Sequence, residues 1–171
     1  IKLSKIASDL RLLSSGPRAG FGEINLPAVQ AGSSIMPGKV NPVIPEVVNQ
    51  AAYLVVGYDV TISMCAEGGQ LQLNAFEPTI GFAIAQGQRL LTNACDTLRE
   101  RCVDGITANR ERCNELVMNS VGIVTVLVPV LGYEKCSELA KKAIAEKRSI
   151  RELLLNETNL TAKEIEEYLS P

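Results

Sequence analysis

The sequence contains no His and no Trp, and aromatic residues make up only 4% of its 171 positions. Without an imidazole, this chain alone cannot build a His-ligated metal site or a Ser-His or Cys-His catalytic pair. It also lacks an excess of cations, because 17 Lys and Arg residues face 19 Asp and Glu residues and the net charge is -2. Nucleic acid is therefore not an expected partner. Any proton transfer must use another group or another chain.

Paired cysteines and a membrane-spanning run are also missing. The five cysteines are odd in number and form no Cys-x-x-Cys pair, which predicts reduced thiols and a cytoplasmic location. The one long apolar stretch, residues 47–65, includes Asn49, Gln50 and Asp59 and is too polar for a lipid bilayer. No signal peptide opens the chain. Its first residues, Ile-Lys-Leu, indicate a sequence that starts inside a helix of a longer protein.

Charge is distributed very unevenly along the chain. Residues 1–97 hold 13 of the 36 charged side chains, and only three of these lie between residues 47 and 88. Such a stretch cannot present an ordinary solvated face, so we expect other subunits or further chain to cover it.

The periodicity of apolar residues predicts an all-α protein. Long helices of a helical bundle, residues 1–104, are expected to precede a small helical C-terminal domain, residues 105–171. Asn41 is the expected cap of a helix running to about Cys65, and Glu77-Pro78 is expected to open the next. Seven positions of that second helix should form a bundle seam: Ile80, Ile84, Gly87, Leu91, Ala94, Leu98 and Cys102. The run 121–131 fits a helix or a buried strand.

The segment with most chemical information is the loop Gly-Ser-Ser-Ile-Met-Pro-Gly-Lys-Val-Asn-Pro, residues 32–42. It places two hydroxyls, a cation and an amide before a helix N-terminus, where the helix dipole and free N–H groups favour an anion. A phosphate-binding P-loop is excluded because five residues separate Gly32 from Gly38, where four are required, and Val40 stands where Ser or Thr should hold magnesium. A carboxylate or a phosphate is the natural guest.

This loop resembles the signature of the aspartase/fumarase superfamily. The segments 43–50, 69–74 and 119–125 resemble its aspartate ammonia-lyase branch, and residues after Asn-Pro usually differ in class II fumarases. The resemblance implies anti elimination of ammonia from L-aspartate to give fumarate, with no redox cofactor. No metal-ligating residues are expected in this chain.

The same resemblance implies roles for individual residues. Ser33 would be the base, and Ser34, Lys39 and Asn41 would bind the carboxylates of the substrate. Gly32 and Gly38 would let the loop close, and Met36 would pack it against the bundle. Glu46 would pair with a histidine of a neighbouring segment, although a carboxylate that stabilises a helix N-terminus explains it equally well.

Complete family members form homotetramers whose sites combine three motif regions from three subunits. Only the third region is present here, so we expect this chain alone to be inactive. Two alternatives remain open: a class II fumarase acting on malate and fumarate, and a helical oligomerisation scaffold without activity.

Overall fold

The computed structural model describes residues 1–16, 18–30, 36 and 39–169. These residues are predominantly helical, which confirms the all-α prediction. The chain divides into two compact units, Ile1–Asn109 and Arg110–Pro171. The assignment of residues 1–104 to a bundle domain and 105–171 to a C-terminal domain stays a prediction.

Three helices build the first unit. They are α1, Lys2–Leu13; α2, Val43–Glu67; and α3, Glu77–Arg101. A 3-10 turn, Val103–Gly105, follows α3. Two short strands, β1 (Ile24–Asn25) and β2 (Thr107–Ala108), pair antiparallel with Ile24 opposite Ala108.

Proline, glycine and asparagine fix the ends of the long helices. Pro42 occupies the cap position of α2 without a side-chain hydrogen bond, so the prediction of Asn41 as the cap was wrong. Fewer first-turn N–H groups need a cap here, because Pro45 has no N–H and Val43 N donates to Asn41 O at 2.9 Å. Gly68 ends α2. In the turn between α2 and α3, Asn74 Nδ2 donates a hydrogen bond to Cys65 O in the last turn of α2 at 2.9 Å.

Small side chains let α1 and α3 approach α2 closely. The buried core of this unit consists of Ala7, Val48, Ala51, Ala94, Leu98 and Cys102. Of the predicted seam in α3, Gly87, Ala94 and Leu98 are buried, whereas Ile84 is 47% exposed. The seam therefore describes only part of the contact with α2.

A broad apolar face of α2 and α3 is exposed in this chain. Its large side chains are Val47, Tyr53, Leu54, Val56, Val60, Met64, Phe82 and Ile84, each more than two-fifths exposed. This face coincides with the charge-poor stretch of residues 47–88.

Short helices form the second unit around a larger apolar core. They are α4, Arg110–Met118; α5, Val128–Leu131; α6, Tyr133–Glu146; α7, Ile150–Glu157; and α8, Ala162–Leu169. The ambiguous run resolves into a 3-10 helix, Val121–Leu127, followed by α5. Leu127, Leu139, Leu153, Leu154 and Ile165 are fully buried at the centre.

Side-chain caps define two of these helices. The Ser149 hydroxyl accepts a hydrogen bond from Glu152 N at 3.2 Å. At α8 the Glu164 carboxylate accepts from Thr161 N at 2.8 Å, and Thr161 Oγ1 accepts from Glu164 N at 3.3 Å. These reciprocal bonds form a capping box. The Thr161 N–H bond lowers the pKa of Glu164.

All five cysteines are free thiols. Cys102 and Cys136 are buried, and burial raises the pKa of both thiols. No single helix among the described residues has the length and hydropathy of a membrane span. The segments Arg110–Met118 and Val121–Leu131 together have the required length and hydropathy, but the chain bends by 78° between them.

Candidate active site

A cavity of about 520 Å³ lies in the first unit, where the end of α1, the segment around β1 and the start of α2 come together. Its side walls carry Arg11, Ser14, Ser15, Asn25, Lys39, Asn41 and Asn109. The apolar residues of the lining are Ile24, Leu26, Val40 and Pro42. Four separate segments of the chain thus bring polar groups to one concave site, which is the usual construction of a small-molecule site.

The charge of this cavity has one sign. Arg11 and Lys39 are its charged lining residues, and no Asp or Glu is among those that the structure describes around it. The first turn of α2 lies at the same cavity, since Pro42 is part of the lining. A helix of 25 residues adds the positive end of its dipole there. The cavity therefore suits an anionic guest.

Backbone hydrogen bonds shape the approach to α2. Lys39 N donates to Met36 O at 3.2 Å, and Val43 N donates to Asn41 O at 2.9 Å. These bonds place Lys39 and Asn41 on a tight path immediately before the helix, so both reach the cavity lining. The sequence prediction that these two residues share a site agrees with this placement, and their substrate-binding roles stay predictions.

The other predicted site residues have different positions. Met36 is 51% exposed, so the expected packing against the bundle is not seen among the described residues. Glu46 is half-buried in the first turn of α2, where a carboxylate favours the helix N-terminus. Four predicted site residues lie outside the described residues: Gly32, Ser33, Ser34 and Gly38.

Sequence reasoning missed Arg11, although it lines the same cavity. Its Nη1 donates to Asn49 Oδ1 at 3.3 Å, joining the last turn of α1 to α2. Asn49 is only 2% exposed, and its Nδ2 donates to Ser4 O and Ser4 Oγ, each at 2.9 Å, and to Ser8 Oγ at 3.2 Å. A cation in the last turn of a helix is common for reasons of the dipole, so the sequence offered no specific signal.

Two asparagines hold the far wall of the cavity. Asn109 Nδ2 donates to Gly22 O at 2.7 Å and to Asn25 Oδ1 at 3.1 Å, and Asn25 Nδ2 donates to Asn109 Oδ1 at 2.5 Å. Asn109 N also donates to Glu23 O at 2.9 Å. These bonds extend the pairing of β1 and β2 and fix the segment that leads toward the signature loop.

A second cavity of about 520 Å³ lies within the second unit, but its chemistry differs. It is lined by Met118, Ile123 and Leu169 together with Arg151 and Glu166. Arg151 Nη2 pairs with Glu166 Oε1 at 2.7 Å, so the cation there already has a partner. Across the described ranges of the chain, no group of three or more His, Cys, Asp or Glu side chains could hold a metal ion. The cavity with Arg11 and Lys39 is therefore the candidate site.

Comparison with known proteins identifies the family. A family model described as Lyase matches residues 1–57, and one described as Fumarase C C-terminus matches residues 123–171. Aspartate ammonia-lyases from Helicobacter pylori, Pseudomonas fluorescens and Escherichia coli K12 are 54%, 57% and 54% identical over 99 to 100% of this chain. The chain belongs to the aspartase/fumarase superfamily.

Solved structures of the superfamily share the fold. A Brucella melitensis protein described as fumarate lyase:delta crystallin, crystallised with cobalt, is 58% identical over 99% of this chain with a TM-score of 0.90. A class II fumarase from Schistosoma mansoni is 37% identical over 99% of this chain with a TM-score of 0.87.

The match covers only part of each relative. The chain spans 36% of the length of the aspartate ammonia-lyases, 37% of the Brucella protein and 35% of the fumarase.

Proposed function

We propose that the full-length protein is an ammonia-lyase that converts L-aspartate to fumarate and ammonia. The observation that carries this proposal is the cavity at the start of α2, whose described lining includes Arg11, Lys39 and Asn41 and no Asp or Glu. A substrate with two carboxylates matches two cations and a helix N-terminus. The identity of 54 to 57% to proteins named aspartate ammonia-lyase supports this substrate over others.

The residue roles follow the chemistry of an anti elimination. Ser33, as an alkoxide, takes the proton from the carbon next to one carboxylate, and the electron pair enters that carboxylate. The bond between carbon and nitrogen then breaks, and ammonia leaves. Ser34, Lys39 and Asn41 bind the carboxylates, so they stabilise the intermediate more than the ground state. Gly32 and Gly38 allow the loop to close and exclude water.

Lys39 and the positive end of α2 also explain how a serine could act without histidine in this chain. A nearby ammonium and oriented N–H donors favour the alkoxide over the neutral hydroxyl. Glu46, in the first turn of α2, pairs in this proposal with a histidine contributed by another segment.

We further propose a cytoplasmic homotetramer in which other subunits cover the apolar face of α2 and α3. Exposure of Tyr53, Leu54, Val60 and Met64 is the supporting observation, since side chains this apolar are costly to leave in water across one face. In this proposal the site is completed by motif regions that this chain does not contain. The chain alone is then inactive.

Two alternatives have specific support. Likeness to the Schistosoma mansoni fumarase favours malate as the substrate, although its 37% identity is below that of the aspartate ammonia-lyases. The second alternative is a helical oligomerisation scaffold without activity; the description of the Brucella relative names delta crystallin beside fumarate lyase. Retention of Ser33, Lys39 and Asn41 together argues against a scaffold, which has no need of this combination.

An activity assay on the full-length protein separates these proposals. We expect fumarate release from aspartate and none from malate. Turnover of malate alone would support the fumarase, and turnover of neither would support the scaffold.

The Ser33→Ala variant tests the proposed base. We expect turnover to fall about a hundredfold or more, because general-base catalysis contributes about that much, while assembly stays intact. Ser63→Ala is the matched control, since Ser63 is exposed on α2 away from the cavity lining. Near-normal turnover of Ser33→Ala would refute the base assignment.

A further inference from the structure

We propose that Arg11 binds a substrate carboxylate directly and that Asn49 is the positioning residue that holds its guanidinium in place. The inference rests on the proposed function, because it assigns a further substrate-binding residue to that same site. It concerns α1, an element that the signature loop does not include.

The hydrogen bonds around Asn49 fix the direction of its amide. Nδ2 is committed to Ser4 and Ser8 of α1, so Oδ1 is the atom that remains for Arg11. Because Asn49 is 2% exposed, this arrangement is held by packing as well as by hydrogen bonds. Asn49 therefore presents one well-defined acceptor to the guanidinium.

Only part of the guanidinium is used in this contact. Arg carries five N–H donors in a planar fork, and the bond to Asn49 Oδ1 engages Nη1. Within the described part of the chain, Arg11 forms no ion pair with Asp or Glu. Its remaining donors can bind a carboxylate, which guanidinium groups bind through paired hydrogen bonds.

The position of Arg11 allows a binding role beside its structural one. Besides joining α1 to α2, Arg11 lines the cavity that also contains Lys39 and Asn41. The three residues come from two segments separated by more than twenty residues of sequence. Arg11 and Lys39 could therefore each bind one carboxylate of a dicarboxylic acid.

The test compares variants of the full-length protein. Arg11→Gln removes the charge, Arg11→Lys keeps it without the fork, and Lys5→Gln removes a charge from the exposed face of the same helix. The measurements are kcat and KM for aspartate, the melting temperature, and the rise in melting temperature on adding succinate. Succinate is a dicarboxylate with no amino group to lose.

We expect Arg11→Gln to raise KM about tenfold to a hundredfold, the usual loss for a hydrogen bond to a charged group. The stabilisation by succinate should disappear. Arg11→Lys should recover part of both effects, because the charge remains, and Lys5→Gln should match the unmodified protein. A role confined to structure would instead lower the melting temperature without ligand and leave the succinate shift unchanged.

Each outcome decides the inference. Unchanged KM and succinate shift in Arg11→Gln would overturn it while leaving the lyase proposal intact. If the unmodified protein binds succinate but does not turn over aspartate, loss of succinate binding in Arg11→Gln would support the carboxylate site and refute the lyase. Absence of both turnover and succinate binding in the unmodified protein would overturn both.

Discussion

Asn49 fastens α1 to α2, and its replacement should loosen the helix that carries Arg11. In Asn49→Ala, the two N–H groups of Nδ2 lose their partners on Ser4 and Ser8. Two neutral hydrogen bonds contribute roughly 1 to 3 kcal/mol, and the higher helix propensity of Ala returns about 0.6 kcal/mol. With the lost bond from Arg11 and the small space left in the core, we expect a net cost of about 2 kcal/mol.

Hydrogen exchange of the full-length protein measures this cost where it arises. Amides of α1 should exchange about thirtyfold faster in Asn49→Ala, since 1.4 kcal/mol corresponds to a tenfold change in an opening equilibrium. Gln50→Ala is the matched control, because Gln50 is the adjacent amide and is exposed. Exchange in α1 that is unchanged in Asn49→Ala, or equally accelerated in Gln50→Ala, would refute the role of the Asn49 network.

Two further predictions concern the second unit. Leu153→Ala should lower the free energy of unfolding by about 2 to 5 kcal/mol because Leu153 is fully buried, whereas Leu155→Ala, at a side chain 42% exposed, should change it far less; urea unfolding followed by circular dichroism distinguishes them. The ionised Glu164 should stabilise α8 above its ordinary pKa of 4.5, and this contribution should be lost as the pH falls through the lower pKa of the folded state. Hydrogen exchange of α8 between pH 6 and pH 3 should show this loss in the unmodified protein but not in Glu164→Gln; an identical pH dependence in both would contradict it.

The parts of the fold that the sequence predicts correctly depend on neighbouring residues in the chain, chiefly those at helix ends. Pro42 and Gly68 mark the two ends of α2, and Glu77-Pro78 opens α3 as predicted. The pairing of β1 with β2 escapes such reasoning, because its two residues a side join segments more than eighty positions apart. Asn41 was a reasonable cap by residue type, but the cap position falls one residue later, on Pro42.

The sequence likewise predicts part of the candidate site and misses the rest. Lys39 and Asn41 belong to one continuous motif, so the sequence could predict that they lie together. Arg11 and Asn49 come from two helices, and only the packing of α1 on α2 brings the guanidinium to the amide. From the sequence, Asn49 is only a polar residue in an apolar run. Its hydrogen bonds depend on Ser4, Ser8 and Arg11 of another helix.

A crystal structure of the full-length protein with succinate tests the central claim most directly. The account predicts one carboxylate within hydrogen-bond distance of Lys39 and Asn41, at the start of α2. Succinate bound elsewhere, with Lys39 in an ion pair on the protein surface, would contradict it.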